Sequence, residues 1–153
     1  MDAISFKTLL GKESSIKKKW IIIDATNKNL GRLASTVANL VRGKHKINFS
    51  PHINCGDYVI IINSDKINLT GKKWYSKKYI YYTGYPGGKR EISIMEKFRR
   101  NPNYIIEKSV KGMLPKNRLG RKIFKNLHVF VGDKHNYNIN NPIYFNIEKN
   151  TTL

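Results

Sequence analysis

Residues 20–63 read WIIIDATNKNLGRLASTVANLVRGKHKINFSPHINCGDYVIIIN, and their pattern decides the fold. Trp20–Ala25 is an apolar run of the kind a strand shows when both its faces are covered. Thr26-Asn27-Lys28-Asn29 is a turn. From there Leu30, Leu33, Ala34, Val37, Leu40 and Val41 fall on one helical face, with Arg32, Ser35, Asn39 and Arg42 opposite. Gly43 stands where a helix C-terminus takes a left-handed residue. Residues 44–57 make a loop, and Tyr58–Asn63 is a second buried strand. Strand, helix and strand of these lengths predict a right-handed βαβ unit.

Outward from this unit, Ile67–Thr70 suggests a short further strand ahead of Gly71, and residues 72–90 form a long basic and aromatic excursion. Helical patterns follow at about 92–100, 102–111 and 117–126. Asn101 is placed to cap the second of these, and Pro102 sits at its first position, where a missing N–H costs nothing. His128–Val131 is the last core strand. Residues 1–19 read as an extended lead-in, and the Asn-rich tail 133–153 has little to bury. A length of 153 residues with 40% hydrophobic content fits one domain, 1–153, with a modest core.

The formal charge is +19, divided +7, +6 and +6 between residues 1–50, 51–100 and 101–153. Charge spread so evenly coats the fold and implies a partner that surrounds much of it. A membrane surface would favour one flat basic face with apolar anchors, whereas folded RNA touches several faces at once. No apolar run approaches membrane-spanning length. The opening MDAISFKTLLGKESSIKKKW lacks a signal-peptide apolar core, and with Asp2, Glu13 and no Arg it is unlike a transit peptide. The protein is expected to stay where it is made. Lys, Asn and Ile together supply 59 of the 153 residues, and Lys outnumbers Arg 22 to 7. All three have A/T-rich codons, a hint of a bacterium with an A+T-rich genome or, alternatively, an organelle.

Two stretches concentrate the bases. Val110–Gly132 reads VKGMLPKNRLGRKIFKNLHVFVG. From Lys108 to Lys125 there are seven bases and no acid, including Lys111, Lys116, Arg118, Arg121 and Lys122, threaded with Met113, Leu114, Leu119, Ile123 and Phe124. Gly112 and Pro115 break the run, and Gly120 lets a neighbouring backbone approach. An amphipathic element with an acid-free basic face suits a polyanion. Residues 66–90 hold seven more bases without an acid, among them Lys72, Lys73, Lys77, Lys78, Lys89 and Arg90, interleaved with six aromatic rings. Lysines neutralise phosphates, and flat rings stack on exposed bases. Against that, the tyrosines of a hairpin can pack on the core, and for most of the individual rings core packing is the expectation. GYPGGKR (84–90) lacks the Lys-Ser/Thr of a P-loop, so Gly87 and Gly88 read instead as admitting an RNA backbone.

Order as well as composition matters. KGMLP, three residues, LGR and a hydrophobic strand ending in Gly resemble the signature of the large-subunit ribosomal protein L13 family in its bacterial form. WIIIDAT (20–26), LGRLAS (30–35), RGKHK (42–46), PHINCGDYVIIIN (51–63), LTGKKW (69–74) and TGYPGG (83–88) are similar to that family in the same order. Two places depart from it. Tyr82 stands where a His is expected, and in the tail only His135 and Pro142 remain of a longer motif, with Lys134, Tyr137 and Asn140 replacing its other members. The resemblance implies an α/β fold with a short, mostly parallel four-stranded sheet between helices, three layers in all. It further implies binding to large-subunit rRNA beside neighbouring large-subunit proteins, and an early assembly role. Arg42, Lys44, His45 and Lys46 exceed what capping a helix C-terminus requires, and the resemblance turns them toward phosphate. It also carries over Lys72, Lys111, Lys116 and Arg121 as contacts, with Gly87, Gly88 and Gly112 allowing close approach, and leaves His135 as the tail's remaining candidate.

Neither metal, cofactor, small-molecule substrate nor membrane is expected. Cys55 is the single cysteine, which excludes an internal disulfide; with His52 it has a zinc-like spacing, but two ligands are not a site. Asp24, Asp57 and Asp65 lie at strand ends, where α/β enzymes place catalytic groups. A carboxylate there also caps a turn or pairs with a base, and that reading is preferred. An RNA-processing enzyme and a free regulatory RNA-binding protein are the two rivals. The first needs a cleft lined by perturbed carboxylates, and the second a target outside the ribosome.

Overall fold

The computed structural model describes residues 16–137 and 141–147 and the backbone of 151–152. The lead-in up to residue 15 and tail positions 138–140, 148–150 and 153 lie outside the described residues. In chain order the elements are β1 (Trp20–Asp24), α1 (Leu30–Arg42), β2 (Tyr58–Ile62), α2 (Lys73–Ser76), β3 (Lys78–Tyr82) and β4 (Lys89–Ser93). Then come α3 (Ile94–Arg100), α4 (Pro102–Met113), α5 (Arg118–Phe124), β5 (Leu127–Val129), β6 (Ile143–Asn146) and β7 (Thr151–Thr152).

β1, α1 and β2 form the expected βαβ unit, with parallel register from Trp20↔Tyr58 to Asp24↔Ile62. Gly43 ends α1 at φ 84°, its N–H donating to the carbonyls of Asn39 and Leu40. The sheet order is β5-β2-β1-β6-β7: four parallel strands, with β7 antiparallel at one edge. The α/β class and the mostly parallel four-stranded sheet flanked by helices are as anticipated.

Alternation along each strand divides the core. Ile21, Ile23, Val59 and Ile61 pack with Leu33, Ala34, Val37 and Val41 of α1 and with Ile105, Ile106 and Val110 of α4. Among the described residues the layer on the other face is thin, with Trp20, Phe130 and Tyr137 over Ile22, Ile60 and Ile62. Side chains of this size each contribute about 1.5–3 kcal/mol when fully buried. Asn101 caps α4 by accepting from the Tyr104 N–H, and Pro102 opens it. α4 runs back past the sheet from the strands' carboxyl ends. There Ser64 Oγ donates to Asn103 Oδ1 (2.5 Å), and Asn103 Nδ2 donates to the Val129 carbonyl (3.0 Å).

Three local expectations change. Residues 67–70 supply no strand beyond the single parallel bridge Asn29↔Asn68, although Ile67 and Leu69 are buried. The strand beside β1 comes instead from the tail, where Phe145 and Ile147 pack on the main core. The excursion is ordered as α2 and the antiparallel hairpin β3–β4, which takes over the start of the helix expected at 92.

Gly120 and Gly112 separate packing from open space. A Cβ on Gly120 would lie 1.8 Å from the Pro115 carbonyl oxygen, whereas one on Gly112 meets nothing within 4 Å among the described residues. Gly120→Ala is therefore expected to destabilise by about 1–3 kcal/mol, and Gly112→Ala, in a helix, to stabilise by roughly 0.5–1 kcal/mol. Urea midpoints of the two variants check both signs.

His128 on β5 lies among Trp20 and Tyr137, with its Nδ1 3.3 Å from the Tyr137 hydroxyl. Burial holds its pKa below the ordinary 6.5. As pH falls the unfolded chain takes up this proton first, so His128 leaves stability intact above about pH 6.5 and erodes it below. Unfolding midpoints between pH 7 and 5 should fall more steeply for the wild type than for His128→Gln.

Candidate nucleic-acid interface

The first basic group follows α1. Gly43 turns the chain, and the loop folds back on the helix through the Lys44 N–H to the Asn39 carbonyl (3.0 Å) and the Asp57 N–H to the Leu40 carbonyl (3.2 Å). Lys44 is exposed and forms no side-chain hydrogen bond or ion pair among the described residues. Its neighbours are engaged. Arg42 lies over the Phe49 ring at 5.7 Å. His45 Nε2 is 2.9 Å from Asp57 Oδ2, and Lys46 Nζ is 2.5 Å from Asp57 Oδ1. Asp57 is 1% exposed, and a carboxylate so buried needs such partners. The Lys19 N–H (2.8 Å) is its third donor.

The second group is the junction of α4 and α5. Lys111 in the last turn of α4 stands 5.8 Å from the Phe124 ring centroid. Leu114 caps that helix and is buried, and Pro115 leads to Asn117, whose side chain accepts from the Gly120 N–H (2.7 Å) to start α5. The close Pro115–Gly120 approach locks this turn. Leu114, Gly120 and Ile123 face inward, leaving Lys111, Gly112, Lys116, Arg118, Arg121 and Lys122 exposed. Among the described residues Lys116, Arg118 and Arg121 form no side-chain hydrogen bond or ion pair.

Topology brings these two groups together. α1 and α4 both end at the sheet's amino-terminal side, and Asn126, just past α5, donates from Nδ2 to Asn54 Oδ1 (3.2 Å) in the first loop. The hairpin group lies elsewhere, against the opposite end of α4. Trp74 meets Phe98 edge-on at 5.1 Å, and Tyr79 meets Tyr104 at 5.9 Å and 88°. Burial, with Tyr104 beside it, pushes the Tyr79 phenol up. Lys78 (3.0 Å) and Lys89 (2.6 Å) both bind Glu91. Bonds from Lys89 and Lys78 hold that carboxyl below its ordinary value. Lys73 donates to Thr70 (2.9 Å), while Lys72, Lys77 and Arg90 are exposed without such a partner among the described residues. Gly87 adopts φ 69°, and Gly88 is filled by Thr83, whose Oγ1 occupies the space of a Cβ. His135 joins neither group. It sits 6.5 Å from the Phe130 ring on the thin layer, its Nδ1 accepting from the Tyr137 N–H.

Core packing was expected of most rings in 66–90, and it holds only for Trp74 and Tyr79. Tyr75 is 77% exposed, Tyr82 73% and Tyr85 80%. The signal was present in the sequence: a period of two in KYIYY cannot turn both Tyr81 and Tyr82 inward. The fully exposed Ile47 in the first loop had no sequence signal.

Two of the strand-end carboxylates, Asp24 and Asp57, act structurally. Asp24 Oδ1 accepts from the Thr26 N–H (2.9 Å), Thr26 Oγ1 (2.7 Å) and Asn63 Nδ2 (3.0 Å), closing the turn after β1. Burial would raise its pKa, but these bonds and the charge of Lys66 prevail and hold the carboxyl below its ordinary value. It is an ionised acceptor, poorly suited to donating a proton. Asp57 is saturated by its three donors. Among the described residues no group of three His, Cys, Asp or Glu could hold a metal, and no helix is long and apolar enough to cross a membrane.

The model of the family described as Ribosomal protein L13 matches residues 18–136, from the approach to β1 to the segment after β5. Among similar curated proteins, each named large ribosomal subunit protein uL13, that of Halorhodospira halophila is 48% identical over 136 residues, 89% of this chain and 96% of its own. That of Caldanaerobacter subterraneus subsp. tengcongensis is 47% identical over 142 residues, covering 93% and 99%. That of Buchnera aphidicola subsp. Baizongia pistaciae is 48% identical over 141 residues, covering 92% and 98%. A family match across most of the chain, and near half identity along almost the full length of these relatives, make the chain a member of the ribosomal protein L13 family.

Proposed function

We propose that this protein is a structural constituent of the large ribosomal subunit that binds and shapes large-subunit rRNA, early in subunit assembly. It sits beside neighbouring large-subunit proteins on the ribosome of a bacterium, and its Lys, Asn and Ile bias fits an A+T-rich genome. Its family is structural and non-enzymatic. The observation that carries the RNA reading is the convergence of two distant segments, 42–46 and 111–122, at one end of the sheet. Lys44, Lys116, Arg118 and Arg121 are exposed there with no acid among the described residues to neutralise them. Unpaired cations on rigid, capped elements repel one another and gain most from a polyphosphate. His45 and Lys46, drawn back to Asp57, hold the loop in shape and reach RNA only with their remaining donor capacity.

Gly112 supports the same reading from the side of shape. A helix gains up to roughly 1 kcal/mol from Ala over Gly, and here neither backbone strain nor a neighbour among the described residues calls for the glycine. What the fold does not require, a closely approaching backbone does.

Binding to a naked large-subunit rRNA fragment should weaken steeply with salt. Neutralising roughly six to ten phosphates gives a slope of log K against log salt of about −4 to −7, and a slope near zero in filter binding would remove the RNA reading. Replacing Lys111, Lys116 and Arg121 together by Gln should reduce rRNA affinity by at least tenfold and leave the circular dichroism spectrum unchanged, because all three are exposed. In cells, tagged wild-type protein should co-sediment with large subunits through a high-salt cushion and the triple variant should be depleted from them. Wild-type protein remaining at the top of the gradient would instead favour a free RNA-binding protein.

A further inference from the structure

The outer half of the β3–β4 hairpin has features that phosphate neutralisation leaves unexplained. Its inner half docks on the body through Tyr79 and the buried Ile94. Beyond that point Tyr81 is 50% exposed, with Tyr82 and Tyr85 exposed still further. Among the described residues, none of the three stacks on another ring or lies under a cation. Exposed phenol rings at a hairpin tip contribute nothing to the core, yet the tip is held firmly. The Thr83 N–H donates to the Gly88 carbonyl (3.1 Å) and the Gly88 N–H to the Tyr85 carbonyl (2.9 Å). Thr83 fills the space beside Gly88, and Gly84 and Gly87 take the left-handed conformations of the turn at φ 88° and 69°.

We infer that this tip is a two-sided stacking platform for unpaired nucleobases of RNA, distinct from the phosphate-neutralising end of the sheet. The inference rests on the rRNA-binding reading and adds the kind of RNA element recognised. Successive strand residues point to opposite faces, so Tyr81 and Tyr82 present one ring on each side of the hairpin. Cross-strand pairing places Arg90 opposite Tyr81, where it forms no ion pair among the described residues, and Lys89, which shares its charge with Glu91, opposite Tyr82, so each ring has a base beside it. A base with a free π-face and its adjoining phosphate matches that pair of groups. Bases inside a duplex have both faces covered and cannot use the rings. The occupant is therefore a single-stranded loop or bulge, its charge complementary to a segment whose one nearby acid, Glu91, is already bound by two lysines.

The test uses the full chain with two probes of equal phosphate number, an unstructured single-stranded oligoribonucleotide and a fully paired RNA duplex. Tyr82→Ala combined with Tyr85→Ala should weaken single-strand binding on the order of 5- to 100-fold and leave duplex binding within about twofold. Tyr82→Phe with Tyr85→Phe, which keeps the rings, should restore the wild-type value. Quenching of tyrosine fluorescence on adding the single strand, absent on adding the duplex, should accompany binding. Equal loss on both probes, no loss on either, or failure of the Phe pair to restore binding would overturn the stacking platform while RNA binding itself stands. Wild-type protein binding neither probe would remove the RNA reading as well.

Discussion

The buried carboxylate of Asp57 is the constraint on which the arrangement of the rest depends. It lies at the start of β2, inaccessible to water, and a lone charge there would be costly. Its donors come from three places: the backbone just before β1, His45 and Lys46. One side chain thus fixes the entry to the first strand, the loop after the first helix and the entry to the second strand. Because the loop is drawn inward by His45 and Lys46, Lys44 between Gly43 and that pair remains outward. The exposed cation is a by-product of satisfying the buried anion.

The same logic runs through the second basic group. α4 must stop, turn and restart as α5 within a few residues, and the Pro115–Gly120 contact makes that turn tight. Leu114 and Ile123 anchor it from below. With Leu114, Gly120 and Ile123 committed inward, Lys116, Arg118 and Arg121 face solvent. Interface and core are alternate positions of one amphipathic pattern, which is why a basic surface this dense coexists with an ordered interior.

How much was legible in the sequence follows from how local each determinant is. The βαβ unit could be read because the hydrophobic period changes at Thr26–Asn29 and again in the loop before Tyr58, and Gly43 marks the stop in between. Asn101-Pro102 marked the start of α4 by capping chemistry, ahead of the helical pattern that follows it. β6 could not be recognised in the same way: NPIYFNI is short, Asn-flanked, and becomes a strand only because β1 offers it an edge far away in sequence. The site divided likewise. Exposed bases between apolar anchors, such as Lys116 and Arg121, were legible from spacing. That His45 and Lys46 turn toward Asp57 depends on a tertiary contact that no local pattern encodes, and the outward tyrosines follow strand alternation, which here overrides the burial that their residue type suggests.

The position of β6 has a temporal consequence. Ile21 pairs with Ile143 on one side and with Val59 on the other. During synthesis β1 and β2 emerge before β6, and the remaining edge of β1 stays open while the residues between Ile62 and Ile143 are made. At roughly 5–20 residues per second that interval is on the order of ten seconds. A nascent chain with an open apolar strand edge is vulnerable to wrong pairing. The basic coat that repels other copies of the same chain acts throughout that interval, before any RNA is bound.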